Sequence, residues 1–267
     1  MELFARKMPL PYRMQDLVVP EALRLELELM AAWVRHRKKV LETWGFASRA
    51  PMGRGVSAVF TGAAGTGKTM AAQCLASELG MQLYRVDLAV IAAKFLPATE
   101  DSLGELFAVA GQDPAVLLFD EAEALFGGGG PRAASRRAEQ PGGPLAGELL
   151  DRILDYEGVA ILAAGERGRL DDAIARQLRF HLEFPVPGEE ERLWIWEGMF
   201  PAEAERAEEL NLAALARRHE VTGGEIRDAV LAAAFLAAAA DQPIGMDHLE
   251  RALRHIASRK RHRGKLR

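Results

Sequence analysis

The stretch GAAGTGKT, from Gly62 to Thr69, constrains the fold of this 267-residue chain more than any other feature. Its pattern of glycine, four residues, glycine, lysine and threonine follows an apolar run typical of a strand and precedes a helical pattern. Glycines at these positions let backbone N–H groups turn toward phosphate oxygens, and the helix that follows directs its positive end at them. The sequence therefore predicts a phosphate-binding loop between a strand and a helix.

The side chains at the end of this loop have the chemistry of an ATP site. We expect Lys68 to reach the β and γ phosphates and the hydroxyl of Thr69 to bind Mg²⁺. The remaining contacts to the nucleotide are expected from the whole segment, which consists of Gly62, Ala63, Ala64, Gly65, Thr66, Gly67, Lys68 and Thr69.

An acidic motif, FDEAEALF, lies further along the chain and follows the apolar run AVLLF. This run is expected to be a strand that delivers Asp120 and Glu121 to the end of the sheet. We expect Asp120 to hold the metal through water and Glu121 to polarise an attacking water as general base. An acidic pair at a strand end is also typical of a helix start, where the dipole favours acids. The presence of the phosphate-binding loop favours the catalytic interpretation.

From Val56 onward, short apolar runs alternate with amphipathic stretches, which predicts an α/β fold with a parallel sheet covered by helices. After Pro185 only helical patterns follow. We predict an N-terminal segment with a helix at 1–50, a nucleotide-binding domain at 51–187, and a helical domain with a basic tail at 188–267. The run GGGGPRAASRRAEQPGGP, between Gly127 and Pro144, is expected to be an inserted mobile loop.

Composition bears on the cellular setting and on the partners. The only cysteine, Cys74, is expected to be a small core residue, which fits a reducing, cytoplasmic location. We expect no membrane span and no export signal. The last fourteen residues carry seven arginines or lysines and no acid, against a net charge of −4 overall. Such an end can bind nucleic acid or an acidic partner, or simply suit the end of a last helix.

The two motifs together, and FDEAEALFG in particular, resemble those of the AAA+ ATPases, and the likeness runs from DLVVP to the last helix. The segments WGF, GRG, GTGKTMAA, LRFHLEFPVP and ER followed by IW are similar to a bacterial AAA+ group often associated with contractile injection systems. The resemblance implies a P-loop NTPase domain followed by a small helical lid. It also implies a ring, usually a hexamer, that hydrolyses ATP to remodel or assemble a protein partner such as an injection-system component.

The resemblance also implies roles for residues outside the two motifs. Arg176 and Arg179, in AIARQLRF, are candidates for the arginine finger that reaches the γ-phosphate bound by a neighbouring subunit, unless they only pack on the sheet edge or pair with Asp171 or Asp172. Arg227, in GGEIR, fills the position of a second sensor that contacts nucleotide from the lid, or is a surface residue. Phe95 and Leu96 match a pore loop that grips polypeptide, although a core position for Phe95 fits equally well.

Two positions depart from the family pattern. Pro97 stands where glycine usually follows the pore-loop pair, and it stiffens the backbone. Gly165, in VAILAAGERG, stands where the family usually has the asparagine that orients the attacking water. Loss of one such polar group commonly lowers the rate by roughly 10² to 10³. The expectation is therefore binding of ATP and Mg²⁺ with slow hydrolysis, for which Glu121 is retained.

Three functions fit these observations. The first is an ATP-driven remodelling machine, and the second is a nucleotide-gated assembly module with little hydrolysis, which Gly165 and Pro97 favour. The third is a DNA-associated loader, suggested by the basic tail and by Arg132, Arg136 and Arg137, but the acidic body of the chain argues against it.

Overall fold

The computed structural model describes residues 5–49, 55–88, 98–126, 143–165 and 172–265, and all the elements named here lie within these ranges. The chain divides into two compact units, Met1–Ala63 with Lys68–Phe184, and Ala64–Gly67 with Pro185–Arg267. The first unit combines a sheet with helices, and the second is built from helices. No helix in the described part of the chain is both long and apolar enough to cross a bilayer.

A sheet of six strands, counted over the described residues, forms the centre of the first unit in the order β1-β3-β4-β5-β2-β6. β2 to β6 pair in parallel, and β1 runs antiparallel to β3 at one edge. The strands are β1 (Ala5–Met8), β2 (Val56–Gly62), β3 (Leu83–Asp87), β4 (Val116–Asp120), β5 (Val159–Ala164) and β6 (Phe180–Phe184). The predicted fold class is confirmed. β1 was not predicted, because its four residues, ARKM, include two cations and lack an apolar run.

Helices cover both faces of this sheet, as the apolar sequences of β2, β4 and β5 require. On one face Leu27 and Leu75 are fully buried in a core with Phe60, and on the other Leu149 is buried in a core with Phe119. The helices of this unit are α1 (Glu21–Lys38), α2 (Lys68–Leu79), α3 (Ala98–Gln112), α4 (Glu123–Phe126), α5 (Gly143–Asp155) and α6 (Asp172–Ala175).

The second unit has its own hydrophobic core, centred on the fully buried Trp196. Its helices are α7 (Glu189–Gly198), α8 (Leu212–Arg218), α9 (Gly223–Ala239) and α10 (Met246–Lys265). α9 begins with a capping box in which the Thr222 hydroxyl accepts from the Glu225 N–H and the Glu225 carboxylate accepts from the Thr222 N–H. Buried Arg192 joins two parts of the unit by donating to the carbonyls of Ala216 and Pro187.

The short segment Ala64–Gly67 belongs to this second unit, to which a backbone hydrogen bond ties it. The N–H of Gly224 donates to the carbonyl of Gly65 at 2.9 Å. Gly65 has a φ of 83°, and a Cβ there would lie 2.7 Å from the hydroxyl oxygen of Thr222. Position 65 therefore needs glycine both for its backbone conformation and for its close approach to α9.

Candidate nucleotide site

The loop that follows β2 adopts a backbone that other residues would resist. Gly62, Gly65 and Gly67 have φ values of 140°, 83° and 109°. A Cβ on Gly62 would lie 2.2 Å from the carbonyl oxygen of Phe184 on the neighbouring strand β6. The spacing of glycines read from the sequence thus matches the turns that the loop makes. Such turns direct consecutive N–H groups to one side, which suits an anion.

Lys68, the first residue of α2, is held inside the loop by its own backbone. Its Nζ donates to the carbonyl of Gly62 at 2.6 Å and to that of Ala63 at 2.9 Å. Burial lowers the pKa of Lys68, whereas the negative charges of Asp120 and Glu123 raise it. The ammonium group therefore lies within electrostatic reach of the acids at the end of β4.

Asp120 ends β4, the strand between β3 and β5 in the sheet. One carboxylate oxygen lies 2.7 Å from a guanidinium nitrogen of Arg85, on β3, and the other accepts the N–H of Glu121 at 3.0 Å. The ends of parallel strands meet at one edge of a sheet, where ligands bind in this class of fold. Asp120 is therefore placed on the same edge as the loop after β2, as the sequence predicts.

Glu121 has an unusual backbone conformation for a residue with a side chain, with a φ of 55°. The residues after it hold it there: Ala122 N–H donates to the carbonyl of Ala163 on β5 at 2.9 Å, and Ala124 N–H donates to the carbonyl of Glu121 at 2.8 Å. A non-glycine residue in this region costs about 1 to 3 kcal/mol and is concentrated at functional sites. The side chain of Glu121 is exposed, so its carboxylate is accessible to water.

Gly165 follows β5 directly, and Glu123, the first residue of α4, contacts it. The N–H of Gly165 lies 3.3 Å from each carboxylate oxygen of Glu123. A Cβ on Gly165 would lie 3.2 Å from one of these oxygens. The carboxylate therefore lies against the position where a side chain at residue 165 would begin.

The two arginine candidates have different environments. Arg176, just after α6, is exposed. The guanidinium of Arg179 lies over the ring of Trp33, on α1, at 3.9 Å from the ring centroid, and the backbone N–H of Arg179 donates to the carbonyl of Ser57 at 3.1 Å. Burial lowers the pKa of Arg179. Arg179 thus packs against its own chain, whereas the side chain of Arg176 is exposed.

The remaining predicted positions fall into two groups. Arg227, on α9, is exposed and its guanidinium donates to the carboxylate of the adjacent Asp228 at 2.8 and 3.1 Å, so its contact with nucleotide stays a prediction. Phe95, Leu96 and Pro97 lie outside the described residues. The loop arginines Arg132, Arg136 and Arg137 lie outside them as well.

The residues of this site lie in a region that matches a known protein family. The family model described as "ATPase family associated with various cellular activities (AAA)" matches residues 58–187, which include the loop, Asp120, Glu121 and both arginine candidates. Residues 58–187 match the AAA family of ATPases. At the level of that family, the match implies use and hydrolysis of ATP.

The relatives that the chain matches differ from it in length. A 26S proteasome regulatory subunit homologue of Methanothermobacter marburgensis is 27% identical in an alignment over 219 residues that covers 76% of this chain and 56% of the relative. A 26S proteasome subunit of Saccharomyces cerevisiae is 27% identical over 76% of this chain and 48% of its own length. Spastin of Gallus gallus is 30% identical over 58% of this chain and 26% of spastin. The chain thus spans about half the length of the proteasome-related proteins that it matches, or less for spastin.

A solved structure supports the AAA fold over nearly the whole chain. The crystal structure of the FIGL-1 AAA domain superposes with a TM-score of 0.70 at 20% identity, and the match covers 94% of this chain and 85% of that one. The likeness extends through the helical C-terminal region, as the resemblance of the sequence motifs implies. At this level of identity the comparison shows the fold alone.

Two residues of the AAA site, Arg85 and Glu123, were not predicted from the sequence. Each of them lies in a short sequence pattern that is consistent with its position at the site. In LYRVD, alternate residues share a face, so Arg85 lies on the face of Asp87, which is paired with Asp120 in the sheet register. In DEAE, Glu123 is the third acid of the motif and begins α4. Their partners across the sheet edge become visible only when the strands are placed in order.

The donors around this edge fit a magnesium–nucleotide complex. The loop backbone and Lys68 offer donors for phosphate oxygens, while the hydroxyl of Thr69 and the carboxylate of Asp120 are oxygen ligands of the kind that Mg²⁺ prefers. Thr69 is half-buried in the first turn of α2. In the part of the chain that the structure describes, no group of three or more His, Cys, Asp or Glu is arranged to hold a metal ion.

Proposed function

We propose that this chain hydrolyses ATP with Mg²⁺ in a ring oligomer, a hexamer, and uses the cycle to remodel or assemble a protein partner. The observation that carries the catalytic part is the geometry of two residues: Lys68 is held in the loop after β2 by the carbonyls of Gly62 and Ala63, and Asp120 ends the parallel strand β4 at the same edge of the sheet. A lysine inside a glycine loop and a carboxylate facing it are the two halves of a phosphoryl-transfer site.

The chain's own residues divide the chemistry in a definite way. Magnesium bound with ATP would neutralise phosphate charge. Thr69 and Asp120 would hold the cation, and Lys68, whose Nζ donates to the carbonyls of Gly62 and Ala63, would bind phosphate oxygens. Glu121, exposed and fixed by its backbone, accepts a proton from the attacking water as general base.

The proposal assigns the arginine finger to Arg176. A finger acts on nucleotide bound by a neighbouring subunit, so its side chain needs to be available at the surface. Arg176 is exposed, whereas Arg179 is stacked on Trp33. Such a finger is worth roughly 10³ to 10⁵ in rate, so turnover would depend on assembly of the ring.

The rate of hydrolysis is proposed to be low for the family unless another group orients water in place of the side chain that Gly165 lacks. One well-placed polar group accounts for roughly 10² to 10³ in rate. This feature also favours the second candidate function, a nucleotide-gated assembly module in which ATP occupancy sets the oligomeric state and turnover is incidental.

A protein is proposed as the partner, with an injection-system component as the specific candidate. The sequence resemblance to bacterial AAA+ proteins of contractile injection systems supports this choice, as do relatives named as proteasome subunits. A nucleic-acid role finds less support, since Lys260 of the basic C-terminal helix is paired with Glu225 at 2.9 Å. The single cysteine, buried in the core, supports a cytoplasmic setting.

The experiment that separates the two candidates measures ATP turnover and mass distribution together, with and without ATP·Mg²⁺. Parent chain, Glu121→Gln and Gly165→Asn are compared over a range of protein concentrations. A hydrolytic ring requires turnover per chain that rises with assembly and is lost in Glu121→Gln. ATP-dependent assembly with equal, negligible turnover in parent and Glu121→Gln would instead identify the gated module.

A further inference from the structure

We propose that Glu123 supplies, from the start of α4, the polar group that the end of β5 lacks at Gly165, and that it is a positioning residue for water attack. This inference rests on the proposed hydrolysis of ATP. Glu123 belongs neither to the phosphate-binding loop nor to the acidic pair Asp120 and Glu121, and the proposed function gives it no role.

The side chain of Glu123 lies beside the position where residue 165 lacks one. Gly165 has no side chain of its own, and a Cβ built there would lie 3.2 Å from Oε1 of Glu123. This distance is shorter than an ordinary van der Waals contact, so the carboxylate lies directly against the position where a side chain would begin. The long side chain of Glu123 and the missing one at 165 therefore form a matched pair.

The backbone at Gly165 also fixes the orientation of the Glu123 carboxylate. The N–H of Gly165 lies 3.3 Å from both Oε1 and Oε2, so the carboxylate is held symmetrically against the end of β5. Two hydrogen-bond acceptor sites on each oxygen leave lone pairs available for a water molecule. Glu123 is half-buried, which restricts its side chain more than that of the exposed Glu121.

The place of Glu123 in the fold supports the same role. Glu123 contacts Gly165, which directly follows β5, and β5 lies beside β4, which ends at Asp120. The carboxyl ends of parallel strands form the edge where ligands bind in α/β sheets. Glu123 is therefore at the same edge of the sheet as Asp120.

A purely structural alternative is that Glu123 only caps the N–H of Gly165. The two roles differ in what the substitution Gly165→Asn can do. The asparagine side chain that it introduces can orient water, but it is too short to meet its own N–H at a favourable angle, whereas the carboxylate of Glu123 accepts that N–H from across the sheet edge. If Glu123 orients water, the double variant that combines Glu123→Ala with Gly165→Asn should therefore recover turnover, while its amide at position 165 remains unprotected from exchange.

The test uses the full chain and compares parent, Glu123→Ala, Glu123→Asp and each of these combined with Gly165→Asn. ATP with Mg²⁺ is the substrate for kcat and KM, and hydrogen exchange at residue 165 is followed in nucleotide-free protein. We expect Glu123→Ala to lower kcat about 100-fold with KM changed less than about threefold. Exchange of the Gly165 amide should become about tenfold faster.

Adding Gly165→Asn should restore kcat at least about tenfold while amide exchange at position 165 remains fast. Glu123→Asp keeps the charge and the helix start but shortens the reach, so it provides the same test if Glu123→Ala folds poorly. The inference is overturned if kcat of the Glu123 variants stays at the parent value. It is also overturned if kcat falls but Gly165→Asn restores none of it, which identifies the cap alone.

Glu121→Gln, measured in the same assay, separates this inference from the proposed function. If Glu121→Gln turns over ATP as fast as the parent, the proposed hydrolytic mechanism fails and the role of Glu123 falls with it. If Glu121→Gln is inactive while Glu123→Ala and Glu123→Asp keep the parent kcat, only the role of Glu123 is wrong.

Discussion

The carboxylate of Asp120 is paired with the guanidinium of Arg85 on the neighbouring strand, with 2.7 Å between Oδ2 and Nη2. Asp120 is also the residue proposed to hold Mg²⁺. Arg85 is thus a counter-ion of the carboxylate that is proposed to hold Mg²⁺.

Removing this counter-ion should strengthen metal binding. Both side chains are partly exposed, at 45% for Arg85 and 23% for Asp120, and pairs of this kind are worth about 0.2 to 1 kcal/mol. We expect Arg85→Met to lower the Mg²⁺ concentration that gives half-maximal turnover by about two- to fivefold. Arg85→Lys, which keeps the charge, is the control, and a higher Mg²⁺ requirement in Arg85→Met would contradict the competition.

Mutations of the two arginine candidates should have different effects on turnover and on stability. Arg176→Ala should lower turnover of the assembled protein by roughly 10³ or more without changing its unfolding midpoint, since its side chain is exposed. Arg179→Ala removes the stacking on Trp33 and should cost about 1 kcal/mol of unfolding free energy with turnover changed only a few-fold. The reverse assignment of effects would show that Arg179 is the finger.

Tyr156 should be a stability determinant of the AAA domain. Its buried hydroxyl accepts the N–H of Ala115 at 2.9 Å and lies 2.9 Å from the Ala115 carbonyl, at the start of β4. Tyr156→Phe leaves that N–H without its acceptor, so we expect a loss of about 1 to 3 kcal/mol in denaturant unfolding. Tyr12→Phe, at a partly exposed position, should change it by less than about 0.5 kcal/mol.

Cys74 should be unreactive in the folded protein. Burial raises the pKa of its thiol to about 11, and its Sγ contacts the carbonyl of Arg13 at 3.2 Å. At pH 8 only about 10⁻³ of the thiol is thiolate, which is the nucleophile. Labelling by a disulfide reagent should therefore be slow in native protein and rapid in denaturant, with one thiol per chain. Rapid native labelling would contradict the buried position.

The folded state favours the protonated thiol, which fixes the sign of the pH effect. Because the folded-state pKa is raised from 9.0 to about 11, the stability contributed by the neutral thiol is present below pH 9. It is lost as the pH rises from 9 to about 11. Cys74→Ala should accordingly weaken the decline of stability in this interval relative to the parent chain, as followed by denaturant unfolding at each pH.

The parts of this molecule that were predictable are those in which the local sequence dictates the geometry. The glycines at 62, 65 and 67 predict a loop with positive φ angles, and the uninterrupted apolar runs predict buried parallel strands. The fold class followed from their alternation with helical patterns. Cys74 was correctly predicted as a core residue for a related reason, since it lies among small apolar residues of α2.

The parts that were missed depend on the order of strands, which no local pattern contains. Arg85 meets Asp120 because β3 lies beside β4, and Glu123 meets Gly165 because β5 lies on the other side of β4. The stacking of Arg179 on Trp33 joins residues that are distant in the chain in the same way. Edge strand β1 was missed because an antiparallel strand of four residues needs only backbone pairing with β3.

The most direct test of the central claim follows the identity of bound nucleotide in the Glu121→Gln variant. Protein is mixed with radiolabelled ATP and Mg²⁺ and freed of unbound nucleotide, and the label is resolved as ATP or ADP, with Lys68→Ala as the control without binding. The account predicts that Glu121→Gln retains ATP while the parent carries mainly ADP and Lys68→Ala carries little label. Equal conversion to ADP in Glu121→Gln and parent would contradict it.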